Sequence, residues 1–210
     1  MNRHNLFAYA RIIIACIIFT AIIVQMNYSI EQHWNLVNFF SFFTIQSNIL
    51  AAIILLIVGI GSLLQQKSNP QFALLRGAAT LYMTMTGIIY LILLSGNEVA
   101  LQTTVPWVNF VLHYAAPVII VLDWLFFPPQ FKLPFSKTIF WLSFPAFYLA
   151  YSLIRGAFTD WYPYPFLNPL TDGWGSVIMT CLVISIGAAG LSGLLALRSK
   201  RPNNSRNTLS

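Results

Sequence analysis

With 58% hydrophobic and 8% charged residues and a mean hydropathy of +0.72, this 210-residue chain has too few charges to cover a water-facing surface. A soluble chain carries about 25% charged residues, so composition points to an integral membrane protein and excludes an ordinary soluble enzyme or nucleic-acid module. The net charge of +6 fits membrane orientation and contact with anionic headgroups, with no nucleic-acid partner.

The apolar runs are about twenty residues long, without the alternation of a transmembrane barrel, and therefore predict helices. Six spans follow, at about 8–28, 40–64, 73–95, 106–127, 138–156 and 174–197. The expected fold is all-α, a single polytopic six-transmembrane-helix bundle over 1–197, with a basic, disordered tail at 198–210.

The first run has the length of a signal peptide, but no A-x-A pattern follows it, so it is expected to remain as a span. It holds Cys16; Cys181 lies far along in the last span, and both read as small core residues. No C-x-x-C exists to suggest a redox pair.

The second span opens as NFFSFFTIQSNIL, placing Thr44, Gln46, Ser47 and Asn48 where lipid is expected. A buried hydroxyl or amide without a partner costs roughly 2–7 kcal/mol, so these groups either join helices or do chemistry. Counting inward from residue 38 puts Thr44 roughly 9 Å deep at ~1.5 Å per residue.

QQKSNPQ at 65–71 links to the third span, and the fourth begins near Pro106. His113 is seven residues into it, roughly 10 Å deep by the same rise, level with Thr44. Asn48 lies one turn from Thr44, and Asn109 one turn from His113. If the two patches face each other, hydroxyl, imidazole and two carboxamides converge, either as a hydrogen-bonded network or as nucleophile, base and oxyanion donors. His113 is the one histidine within a span, so a bis-histidine haem or a multi-ligand metal site has no second ligand, and no cofactor is expected. Asp123, at the other end of this span, is matched in depth by Arg11 and Arg76 and reads as a structural ion pair.

PPQFKLP at 128–134 leads to the fifth span, which ends near Arg155. Arg155 either pairs with Asp160 or holds an anionic headgroup or carboxylate. The loop DWYPYPFLNP, with Tyr162 and Tyr164, is either an interfacial aromatic belt or a lid. In the last span Ser185, Ala189 and Gly193 follow small-x-x-x-small spacing and predict close helix packing.

Ten of the 11 Lys and Arg residues fall on one side of this topology, with Arg155 alone opposite. The positive-inside rule then places both termini in the cytoplasm.

Three stretches, FFTIQSNIL, HYAAPVIIVLDW and YPYPFLNP, resemble in order a family of uncharacterised bacterial six-span membrane proteins. More distantly they are similar to the eukaryotic androgen-induced-gene family of membrane hydrolases, which cleave fatty acid esters of hydroxy fatty acids with an intramembrane threonine and histidine. The resemblance matches Phe42-Phe43-Thr44 to the family's threonine segment, Asn109 and His113 to its histidine segment, and Tyr164-Pro165-Phe166-Leu167 to its loop. The residues after Thr44 differ, and Asn109 stands where some relatives carry a second histidine.

The resemblance implies a lipid-ester hydrolase of the bacterial cytoplasmic membrane, with Thr44 as nucleophile and His113 as base. Asn48, Ser47 or Asn109 would serve the oxyanion or orient the site, and Arg155, Tyr162 and Tyr164 would bind substrate. Expected partners are membrane lipids and a lipid-like ester; a homo-oligomer stays open. The rival expectation is a non-enzymatic lipid- or small-molecule-binding protein or transporter, although spans 1–3 and 4–6 show no internal repeat.

Overall fold

The computed structural model describes residues 3–66 and 69–199, with the side chains of Arg3 and His4 outside the description. Lys67 and the basic tail from Lys200, with Arg201 and Arg206, lie outside the described residues. Every regular element among the described residues is helical: α1 (Arg3–Glu31), α2 (Leu36–Phe40), α3 (Phe43–Leu63), α4 (Pro70–Ile89), α5 (Pro106–Phe110), α6 (Ala116–Phe126), α7 (Phe135–Thr138), α8 (Ser143–Thr159) and α9 (Pro169–Leu197). Two π-helical turns, Tyr90–Leu94 and Val111–Ala115, extend α4 and join α5 to α6. Five helical stretches are long and apolar enough to cross a membrane: Asn5–Glu31, Phe43–Leu63, Pro70–Leu94, Pro106–Phe126 and Pro169–Leu197.

The stretch expected as the fifth span is helical but broken in type. A 3-10 turn, Ile139–Leu142, separates α7 from α8, whose 17 residues fall short of the other five stretches. Pro145 explains the break: it has no N–H to return to the carbonyl of Trp141, so the α-helix restarts just before it.

Two helix starts are written locally. Asn69-Pro70 and Asn168-Pro169 each place a capping carboxamide before a proline in the first turn, and the Asn side chains accept from Gln71 N (2.8 Å) and Leu170 N (2.9 Å). The start of α3 differs. The expected continuous helix from residue 40 is interrupted at Ser41 and Phe42, so Thr44 sits in the first turn of α3 instead of six residues into a span. Phe42 offers no side-chain cap, and the orphan N–H groups are met from elsewhere in the fold.

α1, α3, α4 and the Pro106–Phe126 stretch pack as the tight part of the bundle. Helices α1 and α3 approach so closely at Gly59 that a Cβ there would lie 2.8 Å from Ile12 Cγ1. At one end, Asp123 accepts from Arg11 Nε (2.7 Å) and Arg76 Nη2 (3.0 Å), while Arg76 also reaches the carbonyl of Phe127 at 2.7 Å. This joins α1, α4 and α6 through one carboxylate, as the matched depths predict.

Two expectations about the core are corrected. Cys16 is exposed on the outer face of α1, and Cys181 is partly buried. The stripe Ser185, Ala189 and Gly193 is not the face that packs: Ser185 is exposed, and among the described residues only Phe135 approaches Gly193. Instead Ala188 and Ser192 turn inward, and Ser192 Oγ donates to the carbonyl of Thr138 at 3.1 Å. Small residues recur all along this helix, so spacing alone does not choose between its faces.

Candidate functional site

The site lies at the end of the bundle that carries the connections 32–35, 95–105 and 160–168. Thr44 and His113 are both buried and line the same cavity of about 20 Å³, together with Gln25, Gln102, Thr103 and Tyr164. Thr44 and Tyr164 also border a second cavity of about 520 Å³, walled by apolar residues of α3, α4, α8 and α9. That volume is within the range of small-molecule sites, about 300–1,000 Å³. Thr44 and Tyr164 thus stand at the boundary between a small chamber, where polar groups meet Phe39, Phe42, Ile45, Leu101 and Leu112, and a large oily one.

Tyrosine hydroxyls complete the missing cap of α3. Phe43 N–H donates to Tyr148 Oη (3.2 Å) and Thr44 N–H to Tyr164 Oη (3.3 Å). Tyr148 passes its own proton to the Ser41 carbonyl at 3.0 Å, so both its roles are filled. The Tyr164 hydroxyl lies against the side chains of Thr44 and Tyr148. Burial pushes the Tyr164 phenol above its ordinary value, which keeps it a donor at neutral pH.

The imidazole is positioned by two groups. His113 Nδ1 lies 3.2 Å from the Asn109 carbonyl, and a carbonyl only accepts, so Nδ1 carries the proton and a neutral ring keeps its lone pair on Nε2. The ring stacks on Tyr90, with centroids 4.0 Å apart and planes tilted by 24°. Tyr90 is held in turn: Asn109 Nδ2 donates to its hydroxyl at 2.7 Å, and the hydroxyl donates to Glu98 Oε1 at 3.1 Å. Hydrogen bonds from its own N–H and from Gly96 N–H hold the Glu98 carboxyl below the usual carboxylate range. No carboxylate orients His113 directly; a backbone carbonyl and a stacked phenol take that place.

The π-turn around His113 has a sequence cause. Ala116 N–H reaches back to Val111, and Pro117, the residue that would serve the Leu112 carbonyl in this register, has no N–H. Asn48 fills the gap: its Nδ2 donates to the Leu112 carbonyl at 3.1 Å and to the Thr44 carbonyl at 2.9 Å. Asn48 therefore ties the Thr44 turn to the His113 turn through their backbones.

The remaining expected residues divide by what they touch. Ser47 Oγ meets Thr86 Oγ1 (2.9 Å) and the Thr44 carbonyl (3.1 Å), joining α3 to α4. Asn109 is fully engaged, with its Oδ1 accepting from Thr103 Oγ1 at 3.1 Å. None of Asn48, Ser47 and Asn109 lines the small cavity. Arg155 does not pair with Asp160, which is exposed; its Nη2 donates to Asn38 Oδ1 (2.6 Å) and its guanidinium lies 4.7 Å from the Trp161 ring centroid. Tyr162 packs over Gly156 on α8, and neither Arg155 nor Tyr162 lines either cavity. Among the described residues no group of three or more His, Cys, Asp or Glu gathers as for a metal.

Sequence reading passed over Gln25, Gln102, Tyr90 and Tyr148. Gln25 did leave a signal, an amide closing the largely apolar run from Ile12 to Val24; nothing local marks Tyr90 or Tyr148 among nine tyrosines. Compared with family models, with curated proteins and with solved structures, the chain matches none.

Proposed function

We propose that the chain is a multi-pass membrane hydrolase that cleaves a lipid ester of the fatty acid–hydroxy fatty acid type, with Thr44 as nucleophile and His113 as base. The carrying observation is that Thr44 and His113 line one cavity while Thr44 also borders the large apolar one. An acyl chain in the large cavity brings its ester carbonyl to the Thr44 hydroxyl. His113 Nε2 takes the hydroxyl proton as Oγ bonds to the carbonyl carbon, and the tetrahedral intermediate expels the alcohol, which leaves with that proton. Tyr164 is the oxyanion donor, because its hydroxyl adjoins the Thr44 side chain and lines both cavities, whereas Asn48, Ser47 and Asn109 are committed elsewhere. Water then cleaves the acyl-threonine by the same route.

In this reading the chain crosses the membrane six times with both termini inside, and α7–α8 is the fifth crossing. Two contacts support it. The loop after α8 brings Tyr164 to the start of α3, while Ser199, after α9, accepts from Leu133 N–H at the opposite end (3.0 Å). The resemblance to the androgen-induced-gene family, carried by Thr44, Asn109 with His113, and Tyr164–Leu167, supports the same chemistry.

The test is a fluorophosphonate probe on purified protein, beside hydrolysis of a long-chain ester. Labelling and turnover that vanish in both Thr44→Ala and His113→Ala are expected. Full hydrolysis in either variant sinks the assignment. The apolar cavity of about 520 Å³ also suits a lipid carrier without chemistry, and saturable fatty-ester binding with no Thr44-dependent labelling would favour that reading.

A further inference from the structure

Gln25 is 2% exposed, in the α1 face that meets the site. Its Nε2 donates to the backbone carbonyl of Gln102 at 2.6 Å, which fixes the amide and leaves Oε1 as the acceptor. Among the described residues no group donates to that Oε1, nor to Oε1 of Gln102, and both residues line the small cavity with Thr44 and His113. A buried acceptor without a donor costs about 1–3 kcal/mol, so a glutamine kept only to join α1 to the 95–105 connection would be poorly placed. The cavity, about 20 Å³, exceeds the ~10–15 Å³ that one water needs, and a held water wants two to four polar partners.

We infer that the small cavity is the binding site of the hydrolytic water, which donates one hydrogen bond to Gln25 Oε1 and the other to His113 Nε2. The inference rests on the Thr44–His113 reading and adds a division of labour to it: the acyl chain occupies the large cavity, and the attacking water comes from the small one. In the acyl-threonine, His113 Nε2 accepts the water proton as the water oxygen bonds to the acyl carbon. The C–Oγ bond then breaks, and the proton passes from His113 to Thr44 Oγ. Gln25 positions this water and takes no proton. Gln102 Oε1 is a second acceptor on the same wall, and the backbone carbonyl of Gln102 anchors Gln25.

The experiment compares wild type with Gln25→Met, which keeps side-chain length and removes the acceptor. Both are followed with an activated long-chain ester for burst and steady state, and by intact-protein mass spectrometry. The expected result is a burst near one equivalent in Gln25→Met with steady-state turnover at least tenfold slower, and a mass adduct that maps to Thr44. A structural role would lower burst and steady state together, in step with the folded fraction, and that outcome overturns the water site while leaving the Thr44–His113 assignment intact. If wild-type turnover does not depend on Thr44, the functional reading itself falls, and the inference with it. An experimental map with no water within about 3.2 Å of Gln25 Oε1 and His113 Nε2 overturns the water site regardless of activity.

Discussion

Asn48 ties the backbone of Thr44 to that of Leu112, next to His113, without lining the cavity that Thr44 and His113 share. Its amide serves the Thr44 and Leu112 carbonyls, and the residue is fully buried. In Asn48→Leu the Leu112 carbonyl loses its side-chain partner and the Thr44 carbonyl keeps only Ser47 Oγ, and the expected cost is about 1–3 kcal/mol, read as a lowered Tm in detergent. Ser47→Ala removes the hydroxyl that meets Thr86 and, within its own helix, the Thr44 carbonyl; the interhelical bond should account for about 0.6 kcal/mol, the average for such bonds in membranes. A reversed order would mean that the link between the Thr44 and His113 turns carries little of the stability. Sequence placed Thr44 and His113 level with each other by converting position into depth, a count that ran through the break at Ser41–Phe42. It left open whether the carboxamides serve an oxyanion or orient the site, because periodicity gives a face, while the partner of an amide depends on which backbone groups lie unpaired nearby, and for Asn48 a proline on another helix decides that.

At the scale of elements, irregularity is concentrated around the candidate site. The two π-turns put Tyr90 and His113 in stacking contact, and the start of α3 borrows its caps from Tyr148 and Tyr164. Pro117→Ala tests the first device. It restores an N–H that lets the stretch settle as a regular α-helix, and removing a one-residue bulge turns the preceding residues by about 100°. The fold should survive with little change in Tm, while under the proposed hydrolase reading Thr44-dependent turnover falls by about tenfold or more, since small misplacement of a base is costly. Equal turnover would show that the π-turn does not set the position of His113. Packing is tested at Gly77 in α4, where a Cβ would run into the Trp141 ring. Gly77→Ala should lose about 1–3 kcal/mol by overpacking, and an unchanged Tm would mean that Trp141 can move aside. Five membrane-length helices were legible from apolar runs. The break at Ser41–Phe42, the 3-10 turn before Pro145 and the π-turns were not, because each is settled by backbone bonding that hydropathy does not register.

For the whole molecule, the two ends differ in kind. One end is locked by the Arg11–Asp123–Arg76 cluster, which composition and depth made legible because charges in an apolar chain have few partners to choose from. The other holds the two cavities that Thr44 borders and aromatic loops whose roles emerge only when helices distant in sequence meet. Asp123→Asn leaves two buried guanidinium groups facing a neutral amide, and the expected loss is about 3–5 kcal/mol. Specific activity per folded molecule should stay near wild type, because Thr44 and His113 lie at the opposite end. The six-crossing topology makes a sharper demand, since it requires α7–α8 to traverse the bilayer although α8 alone is 17 residues long. With Cys16 and Cys181 replaced by serine, single cysteines at His33, Asn97 and Asp160 should react with a membrane-impermeant maleimide in intact cells. Cysteines at Gln65 and Gln130 should react only after permeabilisation. Protection of position 160 alongside 130 would place both ends of α7–α8 on one side. The contact between Tyr164 and the first turn of α3 could not then form across the membrane, and the oxyanion role of Tyr164 would fall with the topology.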